Sequence, residues 1–536
     1  MADVGRASAL LAAGTVVSRL LGFVNMFVLA FAIGSFGSAA NGFAAANQLP
    51  NTIYIIVAGG VLNAVLVPQI VKASLHTDGG TAYINKLLTI AVVILGLTTC
   101  VAVALAPVLV RITVSGFSPA ELGLATVFAY WCLPQIFFYG LYAVLGEILN
   151  ARKVFGPFTW APVFNNVVAI VGFGAFILLF GADAGGTRAV SDWSAPMIAA
   201  IGATATIGVA GQALVLMLFW RRAGLRYRPD FRWRGVGLRE TGRMASWTFG
   251  MLIVTTLAGL VDTNVASLAA PQDPSVNVLA KAWLIIMLPH SIVTVSIATA
   301  FFTRMSEAGA SGRLDDLRTD VSAAIRSITL FIVLATVAIA VLAYPFARVF
   351  TNTFRQTEAM GLVIIATVLG LLSLTLLFVV QRTFYALGDT RTPFFFTLVQ
   401  GVLFSALMLA CTVLPSPFIA IGVALSQGVS TTVQMGLAWY LLRRRIGPFG
   451  GRRIAASLLR YAAAAVPTGL VGWLILLVLG GATPGGFGVS GKAPAVLTMA
   501  VVGVIMLVVY FGMLVLLRVP ELRGALAPLR SRFVRR

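Results

Sequence analysis

Six ionisable side chains stand inside or at the ends of long apolar runs: Arg19, Glu147, Asp262, Lys281, His290 and Arg382. Such a group in hydrocarbon costs roughly 2.5–3.5 kcal/mol, so each asks for a partner or a task. Arg19 lies in GTVVSRLLGFVNMFVLAFAIG (Gly14–Gly34), a stretch with no acidic residue. It is about ten residues into its run, or about 15 Å at the helical rise, too deep for easy snorkelling. A guanidinium there can grip a phosphate bidentately or bond helix-end carbonyls. Asp262 (GLVDTNVASL) and Lys281 (VLAKAWLI) flank a turn near Pro271. Antiparallel helices would bring both to a similar depth, roughly 14 Å below that turn. An ion pair fixing the hairpin and a cavity role both fit. Glu147 and Arg382, near helix ends, suit interfacial or gate-closing salt bridges. His290 follows Pro289, and suits a buried, hydrogen-bonded imidazole or a proton relay.

Other chemistries lack their residues. Cys100, Cys132 and Cys411 all lie in apolar runs and read as small buried hydrophobes. His76 and His290 are the only histidines, so no Cys/His zinc cluster forms, and no phosphate-binding G-x-x-x-x-G-K-[ST] loop occurs. No cofactor, metal or covalent catalysis is expected.

The elements that must position these groups are membrane helices. Of 536 residues 59% are hydrophobic and 10% charged, with mean hydropathy +0.97. A soluble domain carries about a quarter charged residues. The runs are long enough to cross roughly 30 Å of hydrocarbon as helices. They lack the alternation of a membrane barrel. The first run lacks a signal-peptide pattern and reads as a retained helix. Fourteen segments are predicted: 9–34, 40–71, 86–111, 120–149, 158–181, 195–220, 241–268, 275–303, 322–347, 358–386, 393–414, 417–442, 456–480 and 494–518.

Charge then orients them. Of 38 Lys and Arg, 31 fall at the termini or after even-numbered helices. Five fall on the other side: Arg111, Arg188, Arg348, Arg355 and Lys492. Both termini are therefore expected in the cytoplasm. This segregation also explains the net charge of +21 without nucleic acid. The loop Arg221–Arg243 carries eight arginines and reads as a contact for anionic lipid heads, or a docking point for a cytoplasmic partner.

The halves echo each other. NQLPN (Asn47–Asn51) is matched by IMLPH (Ile286–His290), and ARKVFGPF (Ala151–Phe158) by LGDTRTPF (Leu387–Phe394). In each half a proline sits in the second helix, Pro50 or Pro289, and another opens the fifth, Pro157 or Pro393. The repeat spans six helices, so the copies run parallel. The expected fold is all-α: two parallel six-helix lobes around a central cavity, plus two C-terminal helices. The expected divisions are 1–220, the basic loop 221–243, 244–445, and 446–536.

VSRLLGF, ANQLPN, AVLVPQI, LPHSIVTVSIATAFFTRM and FYALGDTRTPF resemble the MurJ (MviN) family of lipid II flippases, closest to its actinobacterial branch. That family belongs to the multidrug/oligosaccharidyl-lipid/polysaccharide exporter superfamily. The resemblance covers the whole chain. It implies outward flipping of the undecaprenyl-pyrophosphate-linked peptidoglycan precursor across the cytoplasmic membrane, a cationic cavity lined by helices 1, 2, 7 and 8, and a lipid-tail groove on helices 13 and 14. Lipid II and membrane lipids are the implied partners, with cell-wall synthesis or division proteins as candidates. The family's S-R-x-x-G-F arginine is Arg19. Its next Arg-Asp pair is Asn25-Met26 here. The acid opening helix 2 is Asn41, and the arginine after L-P-N is Tyr54. Leu284 and Met287 stand where helix 8 usually has Arg and Glu. Arg19, Asn25, Asn41, Asn47, Tyr54, Asp262 and Lys281 are thus the implied substrate residues. Pro50, Glu147, Pro289, His290 and Arg382 are the gating or structural ones. The alternatives are a flippase for another lipid-linked saccharide, an ion-driven multidrug exporter, and a non-transporting cell-wall scaffold.

Overall fold

The computed structural model describes residues 2–57, 81–152, 154, 156–220, 224, 227–231 and 238–522. Helix is the only regular structure among them. Fourteen long helices follow one another among the described residues. α1 is Ala2–Ile33, α2 Ser38–Val57, α3 Thr81–Ala104 and α4 Pro119–Cys132 continued by Gln135–Ala151. α5 is Gly156–Phe180, α6 Ala195–Leu218 and α7 Leu238–Ala266. α8 runs from Val276 to Ala310, α9 is Leu314–Val341, and α10 joins Phe354–Val368 to Leu371–Ala386. α11 is Arg391–Cys411, α12 Ser416–Ile446, α13 Gly451–Val478 and α14 Lys492–Leu516. Thirteen of them are long and apolar enough to cross a membrane. The exception, α2, is described only to Val57, and the rest of its predicted span, to 71, lies outside the described residues. The chain is a multi-pass membrane protein.

Several helices outrun their apolar spans. α8 continues past the predicted 303 through Arg304 and Glu307, and α12 past 442 through Arg443–Arg445. Hydropathy marks where hydrocarbon ends, but a helix stops only where its backbone is broken. α12 stops at Gly447, whose φ of +81° suits glycine. Its three terminal arginines also complement the helix dipole. α4 starts on a reciprocal cap: Glu121 N donates to Ser118 Oγ at 3.4 Å, and Ser118 N to Glu121 Oε2 at 2.9 Å.

The chain folds as two compact units, Met1–Gln272 and Asp273–Arg536. The sequence repeat put the boundary in the basic loop before α7. The structure keeps α7 with the first unit, and the reason is polar. Asn264 Nδ2 donates to Ile112 O at 2.5 Å, Ser115 Oγ to Asn264 Oδ1 at 2.6 Å, and Gly116 N to Ser267 Oγ at 3.1 Å. Beyond α7, Gly37 N donates to Pro271 O at 2.8 Å. The first unit's core joins Leu95 of α3, Leu145 and Ile148 of α4 and Ala213 of α6. Much of the basic loop Arg221–Arg243 lies outside the described residues. Within it, Asp230 N donates to Thr89 Oγ1 of α3 at 3.0 Å.

In the second unit α13 and α14 pack on α9. Tyr461 of α13 and Tyr510 of α14 are fully buried. Their hydroxyls donate to the backbone carbonyls of Arg326 (3.1 Å) and Leu330 (2.8 Å), one turn apart on α9. Arg326 itself pairs with Glu521, beyond α14, and Ser457 of α13 donates to the same carboxylate at 3.2 Å.

Candidate functional site

In the first unit Arg19 stands on α1 with its side chain exposed, and it makes no ion pair among the described residues. The backbone beside it is held from α5: Asn166 Nδ2 donates to Ser18 O at 2.9 Å. The cation is thus carried on a braced helix with its donor fork open. Six residues on, Asn25 buries its Oδ1 with no hydrogen-bond partner among the described residues. Asp262 on α7 does the same with one carboxylate oxygen. Asn25 lies nine residues before Gly34, and Asp262 nine before Pro271, which is tied to Gly37. Along their helices, Asn25 is eight residues from the end of α1 at Ile33, about 12 Å, and Asp262 four from the end of α7 at Ala266, about 6 Å. Buried acceptors without donors cost about 1–3 kcal/mol each, and a ligand donor would recover it.

The other first-unit candidates turn into the packing. Asn41 is buried. Asn47 Oδ1 accepts from Gln135 Nε2 at 3.0 Å, and that nitrogen also reaches Thr206 Oγ1 at 3.2 Å. Thr206 in turn donates to Trp131 O at 2.5 Å. Asn47 is thus one end of a lock joining α2, α4 and α6. Tyr54 lies 5.9 Å from the Tyr139 ring, against the α3–α4 core. Pro50 is buried within a helix that continues to Val57. Glu147 is half-buried on α4 and makes no ion pair among the described residues, so the salt bridge expected for it is not formed there.

In the second unit Lys281 is 3% exposed, with Nζ 5.9 Å from the centre of the Phe350 ring. It and Asp262 fall in different units, so the pairing expected from their depth is not a bond within either. Pro289 ends the α-helical part of α8, and His290–Val295 form a π-helix before α-helix resumes at Ser296. Proline cannot donate the next backbone bond, and a widened turn is one way past it. His290 is buried, edge-on to Phe378 at 5.4 Å. Arg382 faces two rings instead of the expected carboxylate: Phe302 at 5.2 Å and Phe378 at 5.1 Å. A weakly hydrated planar cation suits aromatic faces where no acid is in reach. Gln135 and Asn166 were absent from the sequence-based candidates. Their polar type inside apolar runs is the one signal that marks them.

A family model described as Lipid II flippase MurJ matches residues 29–516. The chain belongs to the lipid II flippase MurJ family. A protein of Rhizobium meliloti described as "Probable lipid II flippase MurJ" is 28% identical over 433 residues, covering 78% of this chain and 76% of its own length. One of Haemophilus influenzae with the same description is 24% identical over 491 residues, covering 86% and 90%. A solved lipid II flippase MurJ in an inward closed conformation superposes with TM-score 0.72 at 18% identity, covering 95% of this chain and all of that one. An inward-facing multidrug-resistance MATE transporter of the MOP superfamily gives 0.63 at 16%, covering 81% and 96%. The fold is therefore that of MurJ and its exporter neighbours. This chain has arginine at Arg19 and amides or tyrosine at Asn25, Asn41 and Tyr54.

Proposed function

We propose that this chain moves lipid II from the inner to the outer leaflet of the cytoplasmic membrane, with both termini in the cytoplasm. The observation that carries this reading is the family match, which runs through both units and on into α14. Flipping needs no covalent step. It needs a cation that lowers the cost of carrying a pyrophosphate through hydrocarbon, alternating exposure to the two sides, and a place for the long tail. Arg19 supplies the first: its open fork can take two phosphate oxygens at once. The π-helical turn of α8 offers a backbone joint for the second. The exposed apolar faces of α13 and α14, with Val466, Leu470, Val504 and Val508, suit the third. An inside-negative potential favours outward movement of an anion by about 2.3 kcal/mol per charge per 100 mV.

The test is expression in cells depleted of their own lipid II flippase, with leaflet-resolved lipid II as the readout. Restored outer-leaflet lipid II is the expected result. Its absence, with the protein well inserted, would overturn the flippase reading in favour of a non-transporting scaffold.

A further inference from the structure

One end of the second unit, where α8 begins, α9 ends and α14 begins, gathers three cations. Lys281 lies in the first turns of α8, over the Phe350 ring. Phe350 closes a short helix, Ala343–Phe350, that also carries Arg348. Arg348 Nη2 donates to Ser490 O at 3.2 Å and Nη1 to Thr351 O at 3.4 Å. Its Nε is buried with no hydrogen-bond partner among the described residues. Ser490 stands two residues before Lys492, and Lys492 lies within repulsive range of both Lys281 and Arg348. The buried carboxylate at this end, Asp273, is engaged elsewhere, by Arg355 Nη2 at 3.3 Å and Ser416 Oγ at 2.6 Å.

Two half-buried cations beside a buried one raise the positive potential at this end, and such a potential attracts anions. The distribution of basic residues makes the grouping more telling. Only five of 38 fall on the side assigned to the exterior, and Arg348 and Lys492 are two of those. Positive charge is scarce there, yet it converges with the buried Lys281. The chemistry matches an anion with several oxygens. Arg348 has a free edge donor on a side chain already fixed by two carbonyls. The lysines add point charges that accept many geometries.

We propose that Lys281, Arg348 and Lys492 form an anion site at the outward end of the second unit, taking a phosphate or pyrophosphate group carried on a lipid. The naming of that lipid as the flipped precursor or its product rests on the flippase reading; the anion binding does not. The site serves as an exit station, holding the headgroup after it has left Arg19.

The test uses the full chain in phosphatidylcholine nanodiscs, titrated with undecaprenyl pyrophosphate, inorganic pyrophosphate or phosphatidylglycerol, and read by thermal shift and native mass spectrometry. Undecaprenyl pyrophosphate should raise the melting midpoint, and inorganic pyrophosphate should compete more weakly. Arg348→Gln and Lys492→Gln should each weaken the lipid's binding about tenfold. Lys492→Gln leaves the bonds from Arg348 to Ser490 and Thr351 in place, so it stays informative if Arg348→Gln is unstable. Unchanged affinity in a normally melting Lys492→Gln protein overturns the site. Inorganic pyrophosphate binding as tightly as the lipid form, or phosphatidylglycerol matching it, overturns the lipid-borne pyrophosphate as its ligand. Failure of the wild-type chain in depleted cells, with anion binding intact, faults the flippase reading alone. Normal flipping with unaltered affinity in the variants faults the site alone.

Discussion

Arg19 is an exposed guanidinium on a helix braced by Asn166, and the role proposed for it requires the fork rather than the charge alone. Arg19→Ala should abolish flipping at normal protein level, and Arg19→Lys should restore little, since one ammonium cannot replace two parallel donors. Leaflet-resolved lipid II in depleted cells measures both. Normal flipping by Arg19→Ala would remove the anion role. Asn47 calls for a different experiment, because its carboxamide oxygen is occupied by Gln135. Asn47→Ala and Gln135→Ala should each lower stability by about 1–3 kcal/mol, and the double variant should lose less than the sum. A thermal double-mutant cycle decides it; additivity would mean that the bond contributes nothing. These two residues also show what sequence can and cannot reveal. Arg19 was legible because a cation in hydrocarbon is conspicuous in one dimension. The Asn47–Gln135–Thr206 lock was not, because its members lie far apart in the chain and follow no period.

At the scale of the element, apolar run length located the helices, and of the two prolines Pro289 marks a departure from regularity in α8 while α2 runs on through Pro50 to Val57. The form of the departure was not legible, since a proline permits a kink, a π-turn or an almost straight helix, and neighbours choose among them. In α8 the choice is a π-helix whose Thr294 hydroxyl lies 3.4 Å from that of Thr375 on α10. Pro289→Ala should restore the missing donor and favour regular α-helix, raising the melting midpoint while slowing flipping. A faster or unchanged rate would argue against α8 as a moving joint. The attachment of α13 and α14 has a pH signature. Burial works against the Glu521 carboxylate, but hydrogen bonds from its own backbone and from Arg326 and Ser457 outweigh it and hold the group below its ordinary value of 4.5. A depressed acid stabilises the fold above its unfolded pKa, and the contribution disappears as pH falls through the lower folded value. The wild-type melting midpoint should therefore fall more steeply below about pH 4.5 than that of Glu521→Gln. Parallel curves would show that the ion pair adds nothing to stability.

For the whole molecule, the repeat suggests two halves divided before α7, and the compact units part at Gln272 and Asp273, one helix later. Repeats record the order of helices; which unit a linking helix joins is decided by its bonds. α7 is joined to the first unit through Asn264, Ser267 and the turn ending at Pro271. Asn264→Ala should accelerate hydrogen exchange across 260–271 and 112–118 and leave α9 to α14 unchanged. Equal acceleration throughout would indicate one cooperative body in place of two.

The tyrosine attachments of α13 and α14 carry a further consequence. Both hydroxyls address main-chain oxygens of α9, which every residue type presents alike. Drift in the side chains of α9 is therefore silent at this joint, whereas loss of either tyrosine is not. A lineage could remodel that surface of α9 again and again while inheriting the appended helices in the same register.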